Sequence, residues 1–331
     1  MPKAASQITI CDLPVRFDTY EGCSHLCSYC FVLRKKDLKV GIGESAESLK
    51  NWINGQRPKD LRWCDWNIPI HWGGVSDPFQ PIEKKEKRSL QALEVFAEYQ
   101  YPFVVSTKNA LIAQEPYLSL IKKCNCVVQF SAVCPKYDVL EKGASPYAQR
   151  VEAMRKISPY KRVVVRVQPY TPEVLFDVMQ QIRVWADAGV YGIVIEGMKY
   201  VSRKKGVNLV SVGADLCYPV GLLKGHYEKI KESCHKNGLR FFCGENRLRF
   251  MGDSLCCCGI EGMGWKENKA NLNHILYDKD GALYTEGQSK YPISRITQTT
   301  LLGNVIKSTT YRDVMQMAAQ STKINELKPI K

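Results

Sequence analysis

Residues 21–31 read Glu21-Gly22-Cys23-Ser24-His25-Leu26-Cys27-Ser28-Tyr29-Cys30-Phe31, with the cysteines spaced Cys-x3-Cys-x2-Cys. Three thiolates on so short a loop can hold three irons of a [4Fe–4S] cube and leave the fourth iron without a protein ligand. An open iron of that kind can take the amino and carboxylate groups of S-adenosylmethionine (SAM), and a reduced cluster can pass an electron to its sulfonium. Ferredoxins use other spacings and supply a fourth Cys. The competing reading is a zinc knuckle, because zinc takes four ligands and His25 can join Cys23, Cys27 and Cys30. The rest of the chain decides between them: a sequence that continues beyond the loop in barrel phase favours the cube.

Working outward, β-branched and aromatic residues concentrate at 15–20, 67–72, 103–107, 126–132, 162–168 and 191–196, which predicts strands. Helical spacing lies between them at 44–54, 86–99, 115–123, 146–157 and 173–188, with Leu90, Leu93, Phe96 and Ala97 on one face of the second. A further helix near 221–237 ends at Gly238, and Arg240–Cys243 can form a seventh short strand. Alternating strands and helices build parallel βα units. The fold class expected is α/β, a partial (β/α)6 TIM-like barrel over residues 1–244, with working residues at the C-terminal ends of its strands. From residue 245 the alternation stops. Residues 245–331 read as a Cys-containing C-terminal extension with a last helix near 310–319 and a frayed Lys-rich end.

The strand ends carry the chemistry. The second runs into Trp72-Gly73-Gly74-Val75-Ser76-Asp77-Pro78-Phe79-Gln80-Pro81-Ile82-Glu83, where two glycines let backbone approach a ligand closely. The third ends in Val105-Ser106-Thr107-Lys108-Asn109 and the fourth in Gln129-Phe130-Ser131-Ala132-Val133. Glu141 and Arg150 come next, and Arg166 and Gln168 alternate with valines, which puts both on one face of their strand. Glu196 stands at the end of the sixth strand.

Taken together, the Cys-x3-Cys-x2-Cys loop and the Ser76–Glu83 string make the chain resemble the radical SAM superfamily, and within it the spore photoproduct lyase-like branch. The resemblance covers about residues 15–245 and is densest over 20–32 and 73–133. It implies a [4Fe–4S] cluster on Cys23, Cys27 and Cys30, and SAM contacts from Gly73, Gly74, Ser76, Lys108 and Ser131. It further implies Arg150 beside the ribose and Tyr29 beside the adenine. It implies reductive cleavage of SAM to a 5′-deoxyadenosyl radical, hydrogen abstraction from a substrate, and an external electron donor such as flavodoxin or ferredoxin. The leading substrate is a nucleic acid base, in repair or modification. Modification of a peptide or protein side chain is the alternative, and a non-catalytic, metal-stabilised nucleic-acid-binding protein is a reading of another class. The sequence departs from the lyases at one place. They carry a hydrogen-donating Cys two residues before the Ser of the Ser-Asp pair, where this chain has Gly74.

A second group of thiols, Cys243, Cys256, Cys257 and Cys258, admits three readings. The four can bind an auxiliary Fe–S cluster or zinc, although successive side chains diverge. Cys257 or Cys258 can instead be the missing hydrogen donor. All four can also be inert buried thiols. Cys11, Cys64, Cys124, Cys126, Cys134, Cys217 and Cys234 are scattered and read as structural.

Composition sets the outer bounds. The chain has 331 residues, 45% of them hydrophobic, and a formal net charge of +14. Basic groups at Arg34, Lys35, Lys36 and Lys39, at Lys199, Arg203, Lys204 and Lys205, and at Arg247 and Arg249 favour a polyanion partner such as nucleic acid. No apolar run approaches a membrane span, and no signal segment opens the sequence. The 14 cysteines are unevenly clustered in so large a chain, which argues against a disulfide framework and for a reducing, cytoplasmic compartment.

Overall fold

A computed structural model describes residues 1–4, 11–30, 40–58, 67–212, 215–268 and 273. The basic residues 34–36 and 39, Cys64 and the helix expected at 310–319 lie outside them. In chain order the strands are β1 (Lys3–Ala4), β2 (Val15–Phe17), β3 (Tyr20–Glu21), β4 (Gly41–Ile42), β5 (Ile70–Trp72), β6 (Phe103–Thr107) and β7 (Cys126–Ser131). They continue with β8 (Arg162–Tyr170), β9 (Gly192–Gly197), β10 (Lys199–Tyr200), β11 (Val210–Val212), β12 (Asp215–Cys217) and β13 (Arg240–Cys243). The helices are α1 (Ala46–Ile53), α2 (Glu83–Glu86), α3 (Arg88–Tyr99), α4 (Tyr117–Lys123), α5 (Tyr147–Ile157), α6 (Leu175–Asp187) and α7 (Val220–Lys236).

The main sheet runs β1-β2-β5-β6-β7-β8-β9-β13. Every neighbour pair from β2 to β13 is parallel, and only β1 is antiparallel. This is the partial TIM-like barrel expected, and Arg240–Cys243 completes it as a seventh parallel strand. Parallel strands buried on both faces read as continuous apolar runs, and the two faces part cleanly here. Phe17, Trp72, Val105, Val128, Val165, Ile195 and Phe241 point outward into the core shared with the helices. Val104, Val127, Val164, Val194 and Phe242 point inward into a second, smaller cluster.

That inner cluster is covered by the chain beyond residue 254. Cys256, Cys258 and Ile260 are buried in it, and Cys257, Met263 and Trp265 pack against it. Gln129 Nε2 donates to the Cys258 carbonyl at 3.1 Å, and Arg162 donates to the carbonyls of Gly259 and Glu261 at 3.0 and 2.7 Å. Trp265 Nε1 donates to Asn125 at 3.2 Å. Asn125 and Arg162 stand at the N-terminal ends of β7 and β8, so residues 258–265 close the floor of the barrel, opposite the strand ends that carry the motifs.

Two features differ from expectation. The helix over 86–99 is broken at Lys87, whose φ is +56°. The buried Glu83 carboxylate accepts the Ser89 and Leu90 amides at 2.9 and 3.0 Å and the Tyr117 hydroxyl at 2.9 Å. It thereby caps the first turn of α3 from outside, and a separate short α2 results. After β9, a small antiparallel sheet, order β10-β12-β11, follows that the sequence pattern did not indicate; of the basic group, Lys199 lies in it and Arg203, Lys204 and Lys205 lie between β10 and β11.

Candidate functional site

The thiol loop comes after β2 and β3 and is strapped down by the turn after β5. Ser76 Oγ donates to the Gly22 carbonyl at 2.7 Å, and Gln80 Nε2 donates to the same carbonyl at 3.1 Å. The Gln80 carbonyl oxygen accepts the Ser24 amide at 2.9 Å. Asp77 ties the loop to β6: it accepts the Thr107 hydroxyl at 2.8 Å and the Lys108 amide at 2.6 Å, and faces His25 Nδ1 at 3.4 Å. The loop's far side rests on residues 140–143, where Leu140 O accepts the Ser28 amide and His25 O the Gly143 amide, both at 2.9 Å. A Cβ on Gly143 would stand 2.3 Å from the Ser24 carbonyl oxygen, so only glycine permits this approach.

This packing separates the three thiols from the histidine between them. His25 is fully buried with Nδ1 on Asp77, and burial lowers its pKa from the usual value. Cys23 and Cys30 are half-exposed, while Cys27 is largely covered. Among the described residues, the set of three or more Cys, His, Asp or Glu ligand atoms within 4.8 Å of one another lies elsewhere, at Asp12, Cys256 and Glu267. His25 therefore does not complete a single-ion site with the loop thiols. Three thiols on a braced loop, with no fourth ligand beside them among the described residues, fit a cube that keeps one corner open better than they fit zinc.

Beside the loop, Tyr29, Lys108 and Arg150 converge on one carboxylate. Tyr29 donates its hydroxyl to Glu141 Oε1, Lys108 Nζ stands 3.5 Å from the same oxygen, and Arg150 forms an ion pair with Oε2 at 2.6 Å. Lys108 Nζ also lies 5.7 Å from the centre of the Tyr29 ring, within cation–π range. Burial pushes the Glu141 carboxyl up, but Lys108, Arg150 and the Tyr29 hydrogen bond outweigh it and hold the carboxyl below the usual range. Arg150 is fully buried and spends its other donors on Ser131 O at 2.7 Å and Asp138 at 2.9 Å.

The residues singled out from sequence thus gather at one end of the sheet. Gly73, Gly74 and Ser76 come directly after β5, Lys108 after β6, Ser131 ends β7, and Arg150 reaches them from α5. The two glycines differ. Gly73 has φ +83°, and a Cβ there would stand 2.5 Å from the Ser106 carbonyl oxygen. A Cβ on Gly74 would meet nothing within 4 Å. Asp77 and Gln80, which brace the loop, lie within the Ser76–Glu83 string but drew no role from sequence. The Asp-Pro-aromatic-Gln pattern was the signal available.

Below the mouth, a row of polar side chains crosses the inner face. His71 Nε2 and Ser106 Oγ are 2.9 Å apart, and Ser106 Oγ donates to Gln129 Oε1 at 3.0 Å. Arg166 donates to Gln129 Oε1 at 2.9 Å and to Gln168. Gln168 Nε2 reaches Glu196 at 2.6 Å, and Glu196 pairs with Lys199 at 2.6 Å. Period two had placed Arg166 and Gln168 together. His71, Ser106 and Gln129 were missed as partners, because the join runs across strands rather than along one.

The second thiol group is divided by the sheet. Cys243 belongs to the helix-side core, with Sγ 3.5 Å from the Glu245 carbonyl oxygen. Cys256 and Cys258 belong to the inner cluster. The Cys257 thiol is pulled down, to about 5, by a hydrogen bond from Cys258 and by Arg249 and Arg166. Burial pushes the Cys124 thiol up to about 12.

No protein-family model matches the chain, and no curated protein sequence matches it. Solved structures do. A tyrosine-to-phenylalanine variant of spore photoproduct lyase superposes with a TM-score of 0.55 at 14% identity, over 69% of this chain and 76% of that one. Spore photoproduct lyase complexed with dinucleoside spore photoproduct gives 0.53 at 14%, over 70% and 77%. A variant with bound AdoMet and dinucleoside spore photoproduct gives 0.52 at 13%, over 69% and 76%. At these identities the likeness is one of fold: this chain has the fold of spore photoproduct lyase. Among the described residues, no helix is long and apolar enough to cross a membrane.

Proposed function

We propose that the chain is a radical SAM enzyme that acts on a nucleic acid base. The observation that carries this is the three-thiol loop at the strand ends of a parallel barrel, braced by Ser76, Asp77 and Gln80 and, among the described residues, joined by no further ligand in a compact single-ion set. Cys23, Cys27 and Cys30 would hold the [4Fe–4S] cluster. When bound, the cluster and SAM supply reductive cleavage to a 5′-deoxyadenosyl radical, which abstracts hydrogen from the substrate. The protein's part is positioning. Gly73 brings backbone close, Lys108 offers a cation for the SAM carboxylate, and Glu141 with Arg150 fixes where Lys108 and Tyr29 stand.

Two observations support a nucleic acid substrate: the +14 net charge, and a shared fold with a lyase solved with dinucleoside spore photoproduct. Gly74 stands where the lyases carry a thiol, so base modification is favoured over dimer repair. The test is anaerobic reconstitution and then reduction with dithionite in the presence of SAM. The expected result is a brown protein that releases 5′-deoxyadenosine and exchanges deuterium between labelled oligonucleotide and SAM. Cys27→Ala should be colourless and inactive. Undiminished 5′-deoxyadenosine release by Cys27→Ala would overturn the assignment, and label transfer from a peptide rather than an oligonucleotide would overturn the substrate class.

A further inference from the structure

The floor of the barrel holds a second set of donors, distinct from the thiol loop. Asp12 precedes β2 and is buried, Cys256 is buried in the inner cluster, and Glu267 lies half-buried near the end of the segment that closes the floor. One ligand atom from each lies within 4.8 Å of the other two. In a zinc tetrahedron with bonds of about 2.3 Å to sulfur and 2.1 Å to oxygen, ligand atoms stand about 3.5 Å apart. The gap to be closed is thus at most about 1.3 Å, within reach of carboxylate rotation. A solvent molecule can complete the shell.

The sulfur is already oriented as a ligand would be. The Cys258 amide donates to Cys256 Sγ at 3.4 Å, and the Cys256 amide is held by Ser254 Oγ at 3.2 Å. A backbone N–H aimed at a sulfur fixes its direction, as outer-shell groups do around metals. The same two chain segments are also laced by Asn268, whose backbone and side-chain N–H groups donate to the Asp12 and Cys11 carbonyls at 2.9 and 3.2 Å.

We propose that Asp12, Cys256 and Glu267 bind a zinc-class divalent ion that staples the approach to β2 to the floor segment. A thiolate with two carboxylates suits a borderline cation better than calcium or magnesium, which prefer oxygen alone. The role is structural. Residues 254–268 carry no helix or strand of their own, and a metal bond there contributes directly to folding.

The test separates this site from the loop. Full-length chain carrying Cys23→Ala, Cys27→Ala and Cys30→Ala is purified from zinc-supplemented medium, and its metal is measured by mass spectrometry. The expected result is about one zinc per chain, falling at least tenfold when Cys256→Ser is added. Should Cys256→Ser fail to fold, Glu267→Gln, at a half-exposed position, should lower the zinc affinity at least tenfold in competition with a chelator. Cobalt added to the stripped triple variant should give a sulfur-to-metal charge-transfer band that Cys256→Ser or Glu267→Gln weakens. Less than a tenth of a zinc per chain, or full zinc unaffected by both substitutions, would overturn the proposal and leave the radical SAM reading untouched.

Discussion

Removing the Glu141 carboxylate tests the convergence at the heart of the site. In Glu141→Ala, Arg150 stays fully buried and loses the partner 2.6 Å away. Breaking a buried pair by deleting one member costs about 3–5 kcal/mol, because the other charge is stranded. Arg150 keeps Asp138 at 2.9 Å and the Ser131 carbonyl at 2.7 Å, which favours the lower end. The Tyr29 hydroxyl loses a charged acceptor, worth about 1.5–3 kcal/mol alone, but the two losses share one network and do not add. The expected cost is about 3–4 kcal/mol, read as a fall in the midpoint of urea unfolding monitored by tryptophan fluorescence. Adding Arg150→Met should return part of it, since no buried charge is then stranded. The pH dependence takes the sign of the shift. A carboxyl held low in the folded state stabilises above its unfolded pKa, near 4.5, and that stability is lost as pH falls through the folded value. Glu141→Gln should flatten the profile there. A cost below about 1 kcal/mol, or strict additivity with Arg150→Met, would refute the reasoning.

Three further outcomes are expected. Gly73→Ala, at φ +83° with a carbonyl 2.5 Å from the new Cβ, should destabilise by more than about 1 kcal/mol, whereas Gly74→Ala should leave the unfolding midpoint unchanged; equal effects would mean the turn is misread. Lys108→Ala should weaken SAM binding by about 1.5–3 kcal/mol in calorimetry while iron content is kept, and an unchanged affinity would confine Lys108 to Glu141. Burial, reinforced by Arg166, lowers the His71 pKa to about 3; the unfolded chain protonates first, so stability should fall as pH drops from about 6.5 toward 3, and a Gln at this position should remove that slope.

How much of this was legible in the sequence depended on how local the cause was. The strands were readable because a parallel sheet buries both faces, and stretches such as Val163–Val167 announce that without reference to anything distant. The break at Lys87 was not, because the helical pattern runs through it and the cause is a carboxylate capping from Glu83. Ser76 was placed correctly at a strand end, yet its hydroxyl turns to the Gly22 carbonyl; position came from motif, orientation from packing. The meeting of Tyr29, Lys108 and Arg150 on Glu141 joins residues up to 121 apart in number (150 minus 29), beyond any spacing rule. Residues 256–265 have no periodicity, so nothing local said that they close the floor of the barrel.

The inner face of the sheet grades from apolar to charged along the strand direction, and the grading bears on chemistry. At the floor, Val104, Val127, Val164, Val194 and Phe242 are covered by Cys258 and Ile260. One step higher, the belt from His71 to Lys199 uses neutral acceptors for its central cation: Arg166 rests on the amide oxygens of Gln129 and Gln168, while Glu196 answers Lys199. Amide acceptors fix the guanidinium without themselves cancelling its charge, and the Cys257 thiol is the acidic group that this charge acts on. In a low-dielectric interior that interaction is worth far more than at a surface. The thiol loop forms the top layer, next to the exposed Gly74. Among the described residues, the inner face thus passes from a covered apolar floor, through a belt centred on a preoriented cation, to the thiol loop at the strand ends.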